Sequence, residues 1–249
     1  MTNCLETFPL IQIAETDSTN NYLSNLSDRE SIAEFTTVKA DFQVAGKGQR
    51  GNTWEAERGK NLLFSFVLYP TFLEARRQFI LSQIVSLSIK EELDQWTEDI
   101  SIKWPNDIYW RDKKICGILI ENDLTGMYIG RCITGIGLNI NQEAFLSDAP
   151  NPVSLRQITG QPNDCHLILK HIMQRVKAYY SLLKQGETTD ITRRYRNALF
   201  RKDRIHRYQD ERGEFSAQII DVEVDGHLVL KEESGEIHRY VFKEVQSIL

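Results

Sequence analysis

Four short stretches of the 249-residue chain combine residue types that can do chemistry. In the run Gln43-Val44-Ala45-Gly46-Lys47-Gly48-Gln49-Arg50-Gly51-Asn52-Thr53-Trp54, three glycines in six positions let backbone amides approach a ligand, and Lys47 and Arg50 bring positive charge. Such a loop suits a phosphate or carboxylate; it is neither a P-loop nor a dinucleotide fingerprint. A surface loop with solvated charges is the alternative. In Lys103-Trp104-Pro105-Asn106-Asp107, Pro105 holds Trp104 extended and stops a strand, so that Asn106 and Asp107 turn out at its end. Those two offer hard oxygens suited to Mg²⁺, and Lys103 can reach a phosphate. They are equally ordinary turn formers, and Trp104 and Trp110 read as packing residues. Arg111-Asp112-Lys113-Lys114-Ile115-Cys116-Gly117 is a charged turn entering an apolar strand; by itself it reads as a solvated hairpin tip, with the ammonium of Lys114 aimed past the sheet edge. Gly135-Ile136-Gly137-Leu138-Asn139-Ile140-Asn141 reads as a strand open to close approach at its glycines, and Asn139 needs a hydrogen-bond or metal partner if buried.

These stretches need rigid elements to position them. Residues 35–43, 61–69, 101–104, 114–121 and 127–140 read as strands from their β-branched and aromatic content. Val85, Ile89, Leu93 and Trp96 keep a helical period, as do Leu169, Met173, Val176, Tyr180 and Leu183. Several strands follow one another without an intervening helix, which predicts an α+β fold with a mixed, largely antiparallel sheet packed on helices. Beyond the polar stretch 184–190 and a short helical piece around Ile191 to Leu199, the pattern becomes purely β. Turn signals at Asp210 to Gly213, Asp225-Gly226 and Ser234-Gly235 punctuate it. The expected division is a catalytic unit over 1–190 and a small β-barrel over 191–249, docked on the larger unit.

Composition narrows the classes. The net charge of −5 disfavours nucleic-acid binding through a basic surface. The basic run Arg193, Arg194, Arg196, Arg201, Lys202, Arg204 and Arg207 reads as solvated charge or as contacts to an acidic partner. No stretch is long and apolar enough to span a membrane, and the first residues lack a signal-peptide pattern, so a cytoplasmic location is expected. Cys4, Cys116, Cys132 and Cys165 are scattered without metal-ligand spacing.

In this order and spacing the motifs resemble one family, the biotin protein ligases. The resemblance runs from Asp17-Ser18-Thr19-Asn20 through the glycine-rich loop, Lys-Trp-Pro-Asn-Asp, Lys-Lys-Ile-Cys-Gly-Ile-Leu-Ile-Glu and Gly-Ile-Gly-Leu-Asn-Ile-Asn to the β-rich tail. It implies a sheet like that of the class II aminoacyl-tRNA synthetases, with a C-terminal SH3-like barrel. The implied activity is formation of biotinyl-5′-AMP from biotin and Mg·ATP, then transfer of biotin to a lysine of the biotin carboxyl carrier domain of acetyl-CoA carboxylase or a related carboxylase. Ser18, Thr19 and Gln43 fall where the family binds biotin's ureido ring, with Asn20, Gly46, Lys47, Gly48, Trp54, Lys114 and Gly117 completing the biotin site. Arg50, Gly51, Asn52, Lys103, Asn106, Asp107 and Asn139 match nucleotide positions; Asn106, Asp107 and Asn139 also match positions near the metal. The implied catalytic set is Lys114, Arg50, Lys103 and Asp107, with Asp107 orienting or accepting a proton from the attacking lysine. Many members carry Gly-Arg-Gly-Arg-x-Gly where this chain has Gly46-Lys47-Gly48-Gln49-Arg50-Gly51, so Gln49 replaces a charge-assisted contact. Because Ser18 lies so near the first residue, no winged-helix DNA-binding domain and no operator binding are expected. The family resemblance also implies a monomer or weak homodimer. Lipoate–protein ligase and a catalytically silent biotin sensor are the rival readings.

Overall fold

The computed structural model describes residues 8–48, 53–146 and 151–248. A seven-stranded sheet forms the larger unit from β1 (Leu10–Thr16), β2 (Thr37–Gln43), β3 (Leu62–Leu68), β4 (Ile100–Lys103), β5 (Asp107–Trp110), β6 (Lys113–Thr125) and β7 (Tyr128–Leu138). Their spatial order is β1-β2-β3-β7-β6-β5-β4. β1 and β2 run parallel and every other pair is antiparallel, giving the mixed, largely antiparallel sheet that the sequence predicts. β3, Leu-Leu-Phe-Ser-Phe-Val-Leu, is buried along its whole length because both faces of the sheet are covered there. On one face lies α1 (Thr19–Arg29), where Leu23 packs with Val38, Val67 and Ile133. On the other, α2 (Phe79–Leu93) and α4 (Cys165–Lys184) build the main core with Phe64, Phe66, Ile136 and Leu138.

The helices have local causes. α4 buries Ile168, Leu169, Ile172, Met173, Val176, Tyr180 and Leu183 at helical spacing, and Asp164 caps it by accepting from the amides of His166 (2.8 Å) and Leu167 (3.2 Å). α3 (Leu155–Thr159) starts on a reciprocal Ser154/Gln157 box and ends at Gly160, whose φ of 76° suits only glycine well. α2 stops at Leu93; Trp96, expected inside it, lies in the following turn and donates its indole N–H to Glu92 at 3.1 Å.

The second sheet comprises β8 (His206–Asp210), β9 (Gly213–Val222), β10 (Leu228–Glu232), β11 (Ile237–Tyr240) and β12 (Gln246–Ser247), antiparallel in the order β11-β10-β9-β8-β12. This is the small C-terminal β unit, consistent with an SH3-like barrel, and its hairpins turn at Gly213, Gly226 and Gly235, all with positive φ. α5 (Thr189–Asn197) packs on α2, so the expected boundary at 190/191 falls inside a helix. The basic run lies largely in ion pairs at this junction. Arg193 and Arg194 pair with Asp190, Arg196 with Asp221 (2.6 Å), Arg201 with Asp112 (3.0 Å), and Arg207 with Glu214. Among the described residues no helix is long and apolar enough to cross a membrane.

Candidate active site

β6 and β7 place Gly117 directly opposite Gly137, and Leu119 opposite Gly135. Three of these four positions put no side chain on the sheet face that α1 covers only in part, and that face becomes the floor of a cleft of about 770 Å³. The indole of Trp54 lies across the glycine pair. A Cβ added at Gly117 would stand 2.7 Å from Trp54 Cζ3, and one added at Gly137 would stand 2.4 Å from Cε2. Gly46 is needed for the same reason, since its Cβ would meet the Trp54 carbonyl oxygen at 2.8 Å. Among the described residues the Trp54 indole N–H is buried without a partner, and the ammonium of Lys114 stands 5.7 Å from the ring centroid.

One end of the cleft is polar. Ser18, Thr19 and Asn20, at the start of α1, are each 3% exposed. Gln43 Oε1 accepts from the Thr19 amide (2.7 Å) and hydroxyl (3.0 Å), and Ser65 Oγ lies between Thr19 Oγ1 (2.7 Å) and Asn20 Oδ1 (2.6 Å). Asn20 Nδ2 donates to Glu121 at 2.6 Å. Ser18 occupies the N-cap position of α1 but makes no side-chain cap hydrogen bond, leaving its hydroxyl to the cleft. Ser65 and Glu121 escaped the sequence reading. The available signal was Ser65 itself, a polar residue in an apolar run that demands a partner.

The middle of the cleft is charged. Lys114 on β6 and Asp107 on β5 form an ion pair at 2.6 Å, each side chain about 30% exposed. Lys103, paired with Asp107 in the β4–β5 ladder, lies off the cleft wall with its ammonium 3.4 Å from the hydroxyl of Tyr109. Burial lowers the Lys103 pKa, Asp107 opposes the shift, and Lys114 and Arg201 add to it. Burial and then Asp107 raise that of Tyr109. Asn139 is 2% exposed; its Nδ2 donates to the Val153 carbonyl at 3.2 Å, while its Oδ1 is buried without a partner among the described residues. Asn106 is buried in the β4–β5 turn and does not reach the cleft wall. Cys116 and Cys132 are buried core thiols; burial raises both, Cys132 to about 12, which makes them poor nucleophiles.

Of the residues that the motifs singled out, the cleft thus gathers Ser18, Thr19, Asn20, Gln43, Lys47, Gly48, Trp54, Asp107, Lys114, Gly117 and Asn139. Lys47 also donates to Asn21 at 2.6 Å. Gly46 lies just behind the wall, under Trp54. Gln49, Arg50, Gly51 and Asn52 lie outside the described residues, as does Cys4. Tyr109, Phe145, Pro152 and Phe242 also line the cleft and were not anticipated.

The family model "Biotin/lipoate A/B protein ligase family" matches residues 13–139, half of the chain and most of the cleft. The chain is 28% identical over 229 residues to the bifunctional ligase/repressor BirA of Bacillus spizizenii, covering 90% of this chain and 68% of that protein. It is 33% identical over 174 residues to BirA of Escherichia coli, covering 68% of this chain and 52% of the relative; the chain thus spans about half the length of several curated relatives. Among solved structures, a biotin protein ligase from Aquifex aeolicus in complex with biotin and ATP superposes with a TM-score of 0.80 at 26% identity, covering 96% of this chain and 98% of that one. The chain belongs to the biotin/lipoate A/B protein ligase family.

Proposed function

We propose that the protein is a biotin–protein ligase that makes biotinyl-5′-AMP from biotin and Mg·ATP and passes biotin to a lysine of the biotin carboxyl carrier protein of a carboxylase. One observation carries this reading. A single cleft runs from a hydrogen-bonding end at Thr19, Asn20 and Gln43, over a glycine floor, to the Lys114–Asp107 pair, and its fold matches a ligase with biotin and ATP bound. The polar end can donate and accept, as a cyclic urea requires. The glycine floor admits the flat indole of Trp54, which supplies an apolar wall to the cleft.

In the first step a carboxylate oxygen bonds to the α-phosphorus while the bond to the β-phosphate oxygen breaks, which brings like charges together. Lys114 at the middle of the cleft and Lys47 on its wall are the positive charge held ready for that, and Arg50, which lies outside the described residues, is assigned to the same task by the family resemblance. A Mg²⁺ carried by the phosphates needs only one or two protein oxygens. Asp107 and the orphaned Oδ1 of Asn139 fit that need, and the ion would neutralise phosphate charge there. Asn106, matched to the same role, is one turn removed from the wall. In the second step the lysine nitrogen of the carrier bonds to the acyl carbon, AMP leaves, and the proton passes to a base; Asp107 is that base or its orienting group. We also propose a cytoplasmic enzyme, monomeric or weakly dimeric, with the β unit from His206 onward as a separate barrel domain.

The test is to incubate the protein with biotin, Mg·ATP and an apo carrier domain, with lipoate in a parallel tube, and to weigh the carrier by mass spectrometry. A biotin-sized gain that needs ATP is the expected result. A gain only with lipoate, or pyrophosphate release from neither acid, overturns the proposal.

A further inference from the structure

Ser65 is the lone polar residue of β3 and is fully buried. A hydroxyl in that position needs partners, and it has two: Ser65 Oγ lies 2.7 Å from Thr19 Oγ1 and 2.6 Å from Asn20 Oδ1. Opposite Ser65 in the β3–β7 ladder stands Gly135, where an added Cβ would come 2.2 Å from Asn20 Oδ1, so the missing side chain is what lets Asn20 lie on the sheet. From that seat Asn20 Nδ2 reaches β6 and donates to Glu121 Oε2 at 2.6 Å. Three neighbouring strands, β3, β7 and β6, thus hold one amide of α1. Neither Ser65 nor Glu121 lines the cleft, so whatever they do for a ligand passes through Asn20 and Thr19.

The chemistry of the partners fixes which way each proton points. An ionised carboxylate only accepts, so the Asn20 atom that faces Glu121 is the amide nitrogen and the atom that faces Ser65 is the carbonyl oxygen. That oxygen takes the Ser65 proton, and Ser65 turns a lone pair toward Thr19. The Thr19 backbone N–H donates to Gln43 at 2.7 Å, so Gln43 presents its oxygen there and keeps its Nε2 to donate. The Thr19 hydroxyl therefore lies between two acceptors, Ser65 Oγ at 2.7 Å and Gln43 Oε1 at 3.0 Å. A proton sent into the cleft would leave lone pairs facing lone pairs on both sides; the proton stays inside the protein, and Thr19 shows the cleft only a lone pair. We propose that Glu121 is a positioning residue that, through Asn20 and Ser65, makes Thr19 an acceptor toward the cleft, so that the polar end selects a ligand with an N–H for Thr19 beside a carbonyl for Gln43. One side of a cyclic urea carries that pair, and the inference rests on the ligase reading for the ligand.

The test is calorimetric titration of biotin into the full chain and its variants, with kcat and the KM for ATP taken from pyrophosphate release. Glu121→Ala removes the acceptor and frees the Asn20 amide to turn, so the Kd for biotin should rise about tenfold, the usual loss for one hydrogen bond to a charged group. Glu121→Gln keeps an acceptor in the same place and should lose less than about threefold, the worth of the charge alone. Asn20→Asp sets two carboxylates against each other and should lose about tenfold or more. Combining Asn20→Asp with Glu121→Gln lets the amide at 121 donate to the carboxylate at 20, which still accepts from Ser65; affinity should return to within about threefold of wild type. The KM for ATP and kcat should hold throughout, whereas a disturbed sheet would move them as well. An unchanged Kd in Glu121→Ala, or no recovery in the double variant, overturns the inference and leaves the ligase reading standing. A wild type that binds no biotin overturns the ligase reading, and the inference with it.

Discussion

A methyl group at Gly137 would stand 2.4 Å from Trp54 Cε2 and 2.5 Å from its Nε1, well inside van der Waals contact with the ring. Gly137→Ala should therefore push the indole off the floor. The expected result is a red shift in tryptophan emission and a KM for biotin raised about tenfold, an order of magnitude typical of overpacking a tight site by 1–3 kcal/mol. Unchanged emission and KM would mean that the indole does not rest on Gly137. At Lys114 the argument is electrostatic. Its ammonium is held by Asp107 at 2.6 Å before any substrate arrives, so no reorganisation is needed when charge develops. Lys114→Gln should lower adenylate formation by about 10²–10³, the usual cost of one preorganised donor; a loss under tenfold in single-turnover pyrophosphate release would reassign the role. In the loop, Arg50→Ala should cost much more than Gln49→Ala, because only the guanidinium makes a charge-assisted phosphate contact. Equal losses in the same assay refute that division.

Glu34 shows how the elements are held to one another. Its carboxylate lies in the connection between α1 and β2 and accepts from the Tyr69 amide just beyond β3 (3.0 Å), the Tyr180 hydroxyl on α4 (2.7 Å) and the Lys184 ammonium (2.8 Å). Burial alone would raise its pKa; the hydrogen bonds from Lys184, Tyr180 and the Tyr69 amide outweigh burial and hold it below the ordinary 4.5. A carboxylate depressed in the folded state contributes stability in full above its unfolded pKa and loses it as pH falls through the folded one. Glu34→Gln should thus lower Tm by about 2–8 °C at pH 7, from about 1–2 kcal/mol, with the gap closing below pH 4.5. The same gap at pH 3 and pH 7 would show that packing, not charge, is lost. At this scale the sequence was legible where periodicity is long. The apolar spacing of α4 and the alternating glycines of β7 read directly, whereas β1, α1, β5 and α3 did not. β1 alternates too weakly at an open sheet edge, β5 has four residues, and α3 has five, so each is fixed by its neighbours rather than by its own pattern.

The candidate site was legible for a related reason only in part. Ser18, Gln43, Asp107, Lys114 and Asn139 belong to local motifs, but Phe242 reaches the cleft from a sheet that starts at His206, and no spacing encodes contact between units. That contact depends on the whole junction. Gly226 lies against Phe79 so closely that a Cβ would stand 2.8 Å from the ring, Arg201 donates to the Ile248 carbonyl at 2.6 Å, and Trp104 holds the Gly226 carbonyl. Arg196 of α5 makes the densest link, donating to the Val222 carbonyl through Nε (3.3 Å) and a terminal nitrogen (3.0 Å) while pairing with Asp221 at 2.6 Å. Removing it leaves the Val222 carbonyl at the junction without those donors, at a cost of about 1–2 kcal/mol. In a chain of this length that corresponds to a fall in Tm of about 2–8 °C. Because Phe242 of the second unit lines the cleft, Arg196→Ala should also raise the KM for ATP while leaving that for biotin unchanged, since among the described residues the urea-binding end is built from α1, β2, β3 and β6. Calorimetric unfolding with both KM values measured on one preparation checks the chain of cause. A lowered Tm with both KM values unchanged would separate the junction from the active site, whereas an unchanged Tm would show that Arg196 carries none of the load between the units.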